Sequence, residues 1–170
     1  MQSMITVDSE SEFLSEAVFD HFLARHSELP QWLVKQKQNS WTEYLALPAP
    51  NRKMETWRFA NVKGLGVEGF RLAPSLSEEE SQSLIENSQK VKETAGKLVF
   101  GNDDLVAEET LSEELSAKGV IFEPLERAFA KHPEILEEFF MAQESALGSE
   151  KFAALHTALN RNGTLLFVPA

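Results

Sequence analysis

The 170-residue chain has no cysteine. Within these residues that excludes disulfides, thiolate nucleophiles and cysteine-ligated metals or clusters, and it fits a reducing, cytoplasmic setting. Positive charge is scarce as well: 16 Lys and Arg stand against 27 Asp and Glu, a net charge of −11. A chain this acidic repels phosphates, so nucleic acid is an unexpected partner. No run of 18 apolar residues occurs, so no helix crossing a membrane is expected. The opening residues, Met1 to Asp8, have neither a basic nor a long apolar stretch, and no secretory leader is expected.

What is present describes a folded chain. Hydrophobic residues make up 42%, with 12 Phe and 3 Trp, more than a disordered chain carries. The size is that of one domain, or of a domain with an appendage. Charge is uneven: residues 1–51 carry −4, residues 52–71 carry +3 and residues 72–170 carry −10. The single basic island holds Arg52, Lys53, Arg58, Lys63 and Arg71, offset by Glu55 and Glu68. It reads either as a solvated loop face or as a docking site for an acidic partner.

Ser9 and Glu12 are spaced as a capping box, and Leu14, Ala17, Val18, His21 and Phe22 then recur with helical period to about Arg25. Pro30 opens a second helix bearing Trp32, Leu33, Trp41, Tyr44 and Leu45, which Pro48 and Pro50 terminate. The chain is therefore expected to begin with a helical hairpin. Residues 51–76 read as irregular and extended. Ser77, followed by three glutamates, starts a helix predicted to reach about Thr94. Lys97–Phe100 and Leu105–Val106, joined across Gly101–Asp104, form a β-hairpin pattern.

A short helix over 111–117 with Ser112 as its cap, a strand over 119–122 and helices over 124–131, 133–143 and 149–160 follow. Thr164–Val168 is a strand apolar at nearly every position, which expects cover on both faces. It either pairs with the earlier strands or opens a further sheet. The expected fold class is α+β and mostly helical: a helical hairpin, a small β-hairpin and a C-terminal helix cluster. The expected division is a hairpin over 1–46, an α+β remainder over 47–161 and the terminal strand segment over 162–170.

Candidate chemistry is sparse. Gly64–Gly69 spells G-x-G-x-x-G, but Pro74 lies too close for the helix that must hold a pyrophosphate, so the match is read as accidental. His21 and His26 are five residues apart on a helix and cannot chelate one ion together. His132 precedes Pro133 and reads as support for a helix junction; His156 reads as a core-edge residue. The adjacent pairs Glu78–Glu79, Glu108–Glu109, Glu113–Glu114 and Glu137–Glu138 point apart on a helix and read as solvated faces. No catalytic residue, metal ligand or cofactor-binding residue is expected. The candidate docking patch is Arg52, Lys53, Trp57 and Arg58, with Trp57 either lining it or pinning the loop as a core residue.

Two stretches carry a resemblance. Leu47-Pro48 through Trp57-Arg58-Phe59 resembles the Leu-Pro and Glu-x-Trp-Arg signature near the start of the SufD branch of the SufB/SufD family of iron–sulfur cluster assembly proteins. Lys118–Phe122, Ala128–Glu134, Lys151–Ala158 and Asn162–Pro169 are together similar to a block that SufB and SufD share, with His156 where the family often has Asn. The resemblance implies a non-catalytic scaffold subunit of a SufB–SufC–SufD complex, with no cofactor held by these residues. It implies SufB-like and SufC-like partners engaged through the full-length protein. It also implies that Thr164–Val168 leads into a long parallel β-helix absent from this sequence. Such a strand would leave an exposed edge through which two copies could dimerise. The alternative readings are a stand-alone acidic protein–protein interaction adaptor and an enzyme with an unrecognised site.

Overall fold

The computed structural model describes residues 14–26, 28–64, 73–89, 93–102, 104–146 and 148–169. They fall into two compact units with interleaved chain segments: Met1–Leu72 with Glu134–Asn160, and Ala73–Pro133 with Arg161–Ala170. The first is called here the helical unit and the second the mixed unit. Among the described residues the chain forms seven α-helices and two two-stranded antiparallel sheets, an α+β fold.

The helical unit contains α1 (Glu16–Arg25), α2 (Gln31–Ala46), nearly all of α6 (Pro133–Phe139) and α7 (Glu150–Leu159). Ser15 caps α1, its hydroxyl accepting from Val18 N at 3.3 Å. The capping box read at Ser9 and Glu12 lies outside the described residues. Pro30 sits at the cap of α2, one position before its first helical residue. Helix α2 packs most extensively on α7, where Ala154 and Ala158 are buried and let the backbones approach. Phe19 of α1 stacks on Trp41 of α2 at 4.8 Å between centroids, with Ala158 completing the cluster. Parallel aromatic stacking of this kind adds about 1 kcal/mol to the burial of two large side chains.

Two lysines lock α2 and α7 together in antiparallel fashion. Lys37, within α2, donates to Thr157 O (3.2 Å) and Asn160 O (2.5 Å) at the end of α7. Lys151, in the first turn of α7, donates to Tyr44 O and Leu47 O, both at 2.6 Å, at the end of α2. Each helix thus supplies the cation that satisfies the other's orphan C-terminal carbonyls and faces its negative dipole end. Lys37 is 1% exposed, and burial lowers its pKa from 10.5 to about 8. Its Nζ lies over the Phe22 ring, 5.2 Å from the centroid.

The mixed unit contains α3 (Glu78–Ser88), β1 (Lys97–Gly101), β2 (Asp104–Glu109), α4 (Glu113–Ala117), β3 (Ile121–Pro124), α5 (Leu125–Lys131) and β4 (Thr164–Phe167). Ser77 and Glu80 form a full capping box at the start of α3. That helix ends at Ser88, whose Oγ donates to Ile85 O at 2.6 Å, and short of the expected Thr94 the backbone at Glu93 takes a left-handed φ of 57°; residues 90–92 lie outside the described residues. Helix α6 likewise ends at Phe139 instead of Gln143, where Met141 takes a left-handed φ of 53°. The hairpin of β1 and β2 has a bulge between Val99 and Phe100, and β2 extends past Val106 to Glu109. Helix α4 begins at Glu113 behind its Ser112 cap and closes in a Schellman motif. There Gly119, at φ 82°, bonds Ser116 O and Val120 N bonds Leu115 O.

Strand β4 pairs antiparallel with β3, Ile121 facing Phe167 and Pro124 facing Thr164. The pairing with an earlier strand expected as one reading of Thr164–Val168 is observed, and its register runs over Thr164–Phe167. Leu125 N donates to Gly163 O at 3.0 Å and extends the pairing into α5, which packs on this sheet. Leu166 and Val168 are nonetheless 63% and 65% exposed.

Candidate docking face

The basic island begins where α2 ends. Pro48 and Pro50 deny the helix its next amide donors, and the chain then turns repeatedly. Asn51 Oδ1 accepts from Lys53 N at 3.0 Å, and Asn51 O accepts from Met54 N at 3.1 Å. Met54 O accepts from Trp57 N (3.0 Å), Trp57 O from Ala60 N (3.1 Å) and Asn61 O from Gly64 N (3.2 Å). Two 3-10 turns, Glu55–Trp57 and Val62–Gly64, lie in this run. Over residues 51–64, what reads in sequence as irregular and extended is a series of hydrogen-bonded turns; residues 65–72 of that stretch lie outside the described residues. No helical or strand period develops over 51–64, because each turn spends its donor three residues back.

Trp57 anchors the series. Its indole N–H donates to Gly148 O at 2.8 Å, and its ring meets the edge of Phe152 at 5.9 Å. Gly148 sits at φ 82°, where a Cβ would collide with Thr56 Oγ1 and come within 2.7 Å of Thr56 Cβ. Only glycine fits both the backbone conformation and the space. Trp57 is half-buried. Arg52, Lys53 and Arg58 are exposed on the same run of turns. Arg58 reaches Glu55 only at 3.8 Å, with side chains 60% and 86% exposed, and its guanidinium lies 5.4 Å from the Phe59 centroid. Phe59 is 91% exposed. The sequence reading passed over it in favour of Trp57, although an aromatic one residue beyond a cation in a turn was a visible signal.

The other candidates are scattered. Residues 65–70 of the Gly-rich match, and Arg71 with them, lie outside the described residues. His26 Nδ1 donates to Phe22 O at 2.7 Å, and His132 terminates α5, its N–H bonded to Ala128 O at 2.8 Å. His156 is exposed, beside Asn160 at 3.3 Å. Among the described residues no three His, Asp or Glu side chains converge on one point. In the mixed unit a shallow depression of about 620 Å³ lies between α3 and the hairpin turn, lined by Leu76, Glu79, Glu80, Ser83, Leu84 and Phe100. Glu80 there is held by the Ser77 N–H and hydroxyl, which keep its carboxyl below the usual range. A carboxylate committed to a cap is poorly placed to exchange protons with a ligand.

The residues that carry the family resemblance turn out to be joints. Leu47 and Pro48 end α2; Trp57 ties the turns to Gly148; His132 closes α5 and Pro133 opens α6. Lys151 caps α2, and Asn162 Oδ1 accepts from Gly163 N at 2.9 Å just before β4. Such residues define a particular chain path, which makes their combination in order a specific mark of a fold.

The family described as "SufBD protein N-terminal region" matches residues 18–170. The chain belongs to the SufBD family. It is 33% identical over 155 residues to the iron–sulfur cluster assembly protein SufD of Bacillus subtilis, covering 87% of this chain and 34% of that protein. The iron–sulfur cluster assembly protein SufB of the same organism is 23% identical over 160 residues, 86% of this chain and 33% of that one. A SufBD family protein of Pyrococcus horikoshii is 23% identical over 99% of this chain and 39% of its own length. The chain thus spans roughly a third of the length of these relatives. No solved structure matches it significantly. Among the described residues no helix is long and apolar enough to cross a membrane.

Proposed function

We propose that this chain is the N-terminal region of a SufD-like scaffold subunit that acts in iron–sulfur cluster assembly within a SufB–SufC–SufD complex. The observation that carries the reading is the 33% identity to a SufD protein over 87% of the chain. In this reading the region is non-catalytic, holds no cofactor, works in the cytoplasm, and meets SufB-like and SufC-like subunits as part of the whole protein. Its own contribution is docking, through Arg52, Lys53 and Arg58 on a face whose backbone Trp57 pins. The open edge of β4, with Leu166 and Val168 exposed, is a second surface through which the isolated region self-associates.

Co-expression of the full-length protein with SufB-like and SufC-like subunits, followed by light scattering on the purified species, tests complex membership. Co-elution of three subunits is expected, and a partner-free monomer would refute it. Sedimentation of the 170-residue chain over a range of concentrations tests the β4 edge. A concentration-dependent dimer that Leu166→Lys abolishes is expected, whereas a monomer at every dilution would remove that surface from the proposal.

A further inference from the structure

The cations of residues 51–64 behave unlike those of the mixed unit. In the mixed unit every described Lys and Arg faces a carboxylate: Lys97–Glu109 at 2.7 Å, Lys118–Glu114 at 2.6 Å, Arg127–Glu108 at 2.8 Å, Lys131–Glu123 at 2.9 Å and Arg161–Asp104 at 3.6 Å. Acid is abundant in this chain, and there it is used. Residues 51–64 instead hold four exposed cations, Arg52, Lys53, Arg58 and Lys63, with Glu55 as their single acid. Arg52, Lys53 and Lys63 form no ion pair with any carboxylate among the described residues, and Arg58 has only its loose contact with Glu55. The net charge of this stretch is +3, against −14 for the rest of the chain.

An apolar element sits within the positive face. Phe59 is 91% exposed, beside the Arg58 guanidinium, on backbone fixed by successive turn bonds and by the Trp57–Gly148 bond. An aromatic side chain held in water beside free cations on a rigid loop has the makeup of an interface hot spot, with little ordering left to do on binding.

Resting on the docking reading above, we propose that residues 52–59 bind an acidic polypeptide segment of a partner, its apolar side chain covering Phe59 while its carboxylates pair with Arg52, Lys53 and Arg58. Charge complementarity selects the acid, and the exposed ring selects a segment with an apolar residue between its acids. The surrounding charge of −14 disfavours an extended polyanion or an anionic bilayer. A short peptide can confine its charge to this face, within a screening length of about 8 Å.

The test uses the 170-residue chain and a fluorescein-labelled decapeptide of Glu and Asp flanking a central Leu-Leu pair, followed by fluorescence anisotropy at low ionic strength. The controls are the same peptide with Ser replacing the acids, the same peptide with Ser replacing Leu, an oligothymidylate, and vesicles of phosphatidylcholine and phosphatidylglycerol. The acidic Leu peptide is expected to bind best. Arg52→Glu/Lys53→Glu/Arg58→Glu should weaken it more than tenfold, and Phe59→Ser by about tenfold with an unchanged melting temperature. Full affinity in Phe59→Ser would overturn the apolar anchor while leaving an electrostatic docking face in place. No binding of the peptide, or tighter binding of the oligothymidylate or the vesicles, would overturn the polypeptide assignment. If the triple variant of the full-length protein still assembled with SufB-like and SufC-like subunits as the unmodified protein does, the docking reading itself would fall, whatever the peptide does.

Discussion

Lys37 and Lys151 of the helical unit and the surface cations of the mixed unit are held in opposite ways. In the mixed unit five surface cations meet five carboxylates, and one pair, Arg127 on Glu108, is bidentate at 2.9 and 2.8 Å. The Arg127 bonds hold the Glu108 carboxyl below its ordinary value, with its charge and that of Lys131 adding to them and partial burial opposing. In the helical unit Lys37 and Lys151 donate to backbone carbonyls at helix ends rather than to carboxylates. A surface pair contributes little, because water screens it. A buried lysine without a counter-ion must be stabilised by oriented dipoles, and it still gives up part of its basicity. Charge in the mixed unit therefore fastens elements at the surface, whereas Lys37 and Lys151 of the helical unit close helix ends inside it.

The sharpest way to break this contrast is to remove Lys37. Lys37→Ala should cost about 3 kcal/mol, since it empties a fully buried stem and leaves Thr157 O and Asn160 O without their donor. Lys37→Met, which keeps the stem, should cost roughly half of that; equal losses in urea unfolding would mean that the stem contributes nothing. The charge itself is read by pH. The folded value of about 8 lies below the ordinary 10.5, so the folded chain sheds this proton first. Stability is therefore lowest while both states are charged, below pH 8, and should rise by ~2–3 kcal/mol between pH 8 and 10. Above pH 10 the raised Tyr44 phenol works the other way, the unfolded chain losing its proton first. A flat pH profile in the wild type, or an unchanged rise in Lys37→Met, would contradict this account.

Gly148→Ala comes next. Strain at φ 82° and the collision with Thr56 should cost ~2 kcal/mol and loosen Trp57, visible as a red shift of tryptophan emission. In the mixed unit the effects are smaller. Glu108→Gln should cost about 1 kcal/mol or less at neutral pH, because Arg127 remains partly in water. Its lowered folded pKa places the wild-type loss in acid: the contribution is present above the usual carboxylate range and fades as pH falls through the folded value. The smallest effect is expected for Lys118→Ala, whose pair with Glu114 is 62% and 77% exposed, at about 0.3 kcal/mol or less in thermal melts. If this substitution cost as much as Lys37→Ala, the contrast between the units would collapse.

Much of the fold was legible because local chemistry decides it. Ser77 with Glu80, Ser112, the prolines after Leu47 and the polar turn before Asp104 punctuate the chain within a few residues of where elements begin and end. Helices ended short of the expected residue where the backbone turns left-handed, at Glu93 beyond α3 and at Met141 after α6. The basic island was legible as composition, but its working parts were not. Trp57's partner is 91 positions away and Lys37's are 120 and 123 away, separations over which no spacing rule operates.

The sequence by itself determined the α+β class, the starts of α2 to α7 to within a residue or two, the acidic charge, the basic island and, through its ordered motif residues, membership of the SufBD family. Tertiary structure alone decided that α2 is clasped by α7, that Lys37 and Lys151 exchange helix ends, and that Trp57 turns inward while Phe59 stays in water. The division has one physical reason. Caps, turns and periodicity are satisfied by neighbours in the chain, whereas burial and the choice of hydrogen-bond partner depend on which distant segments arrive to exclude water.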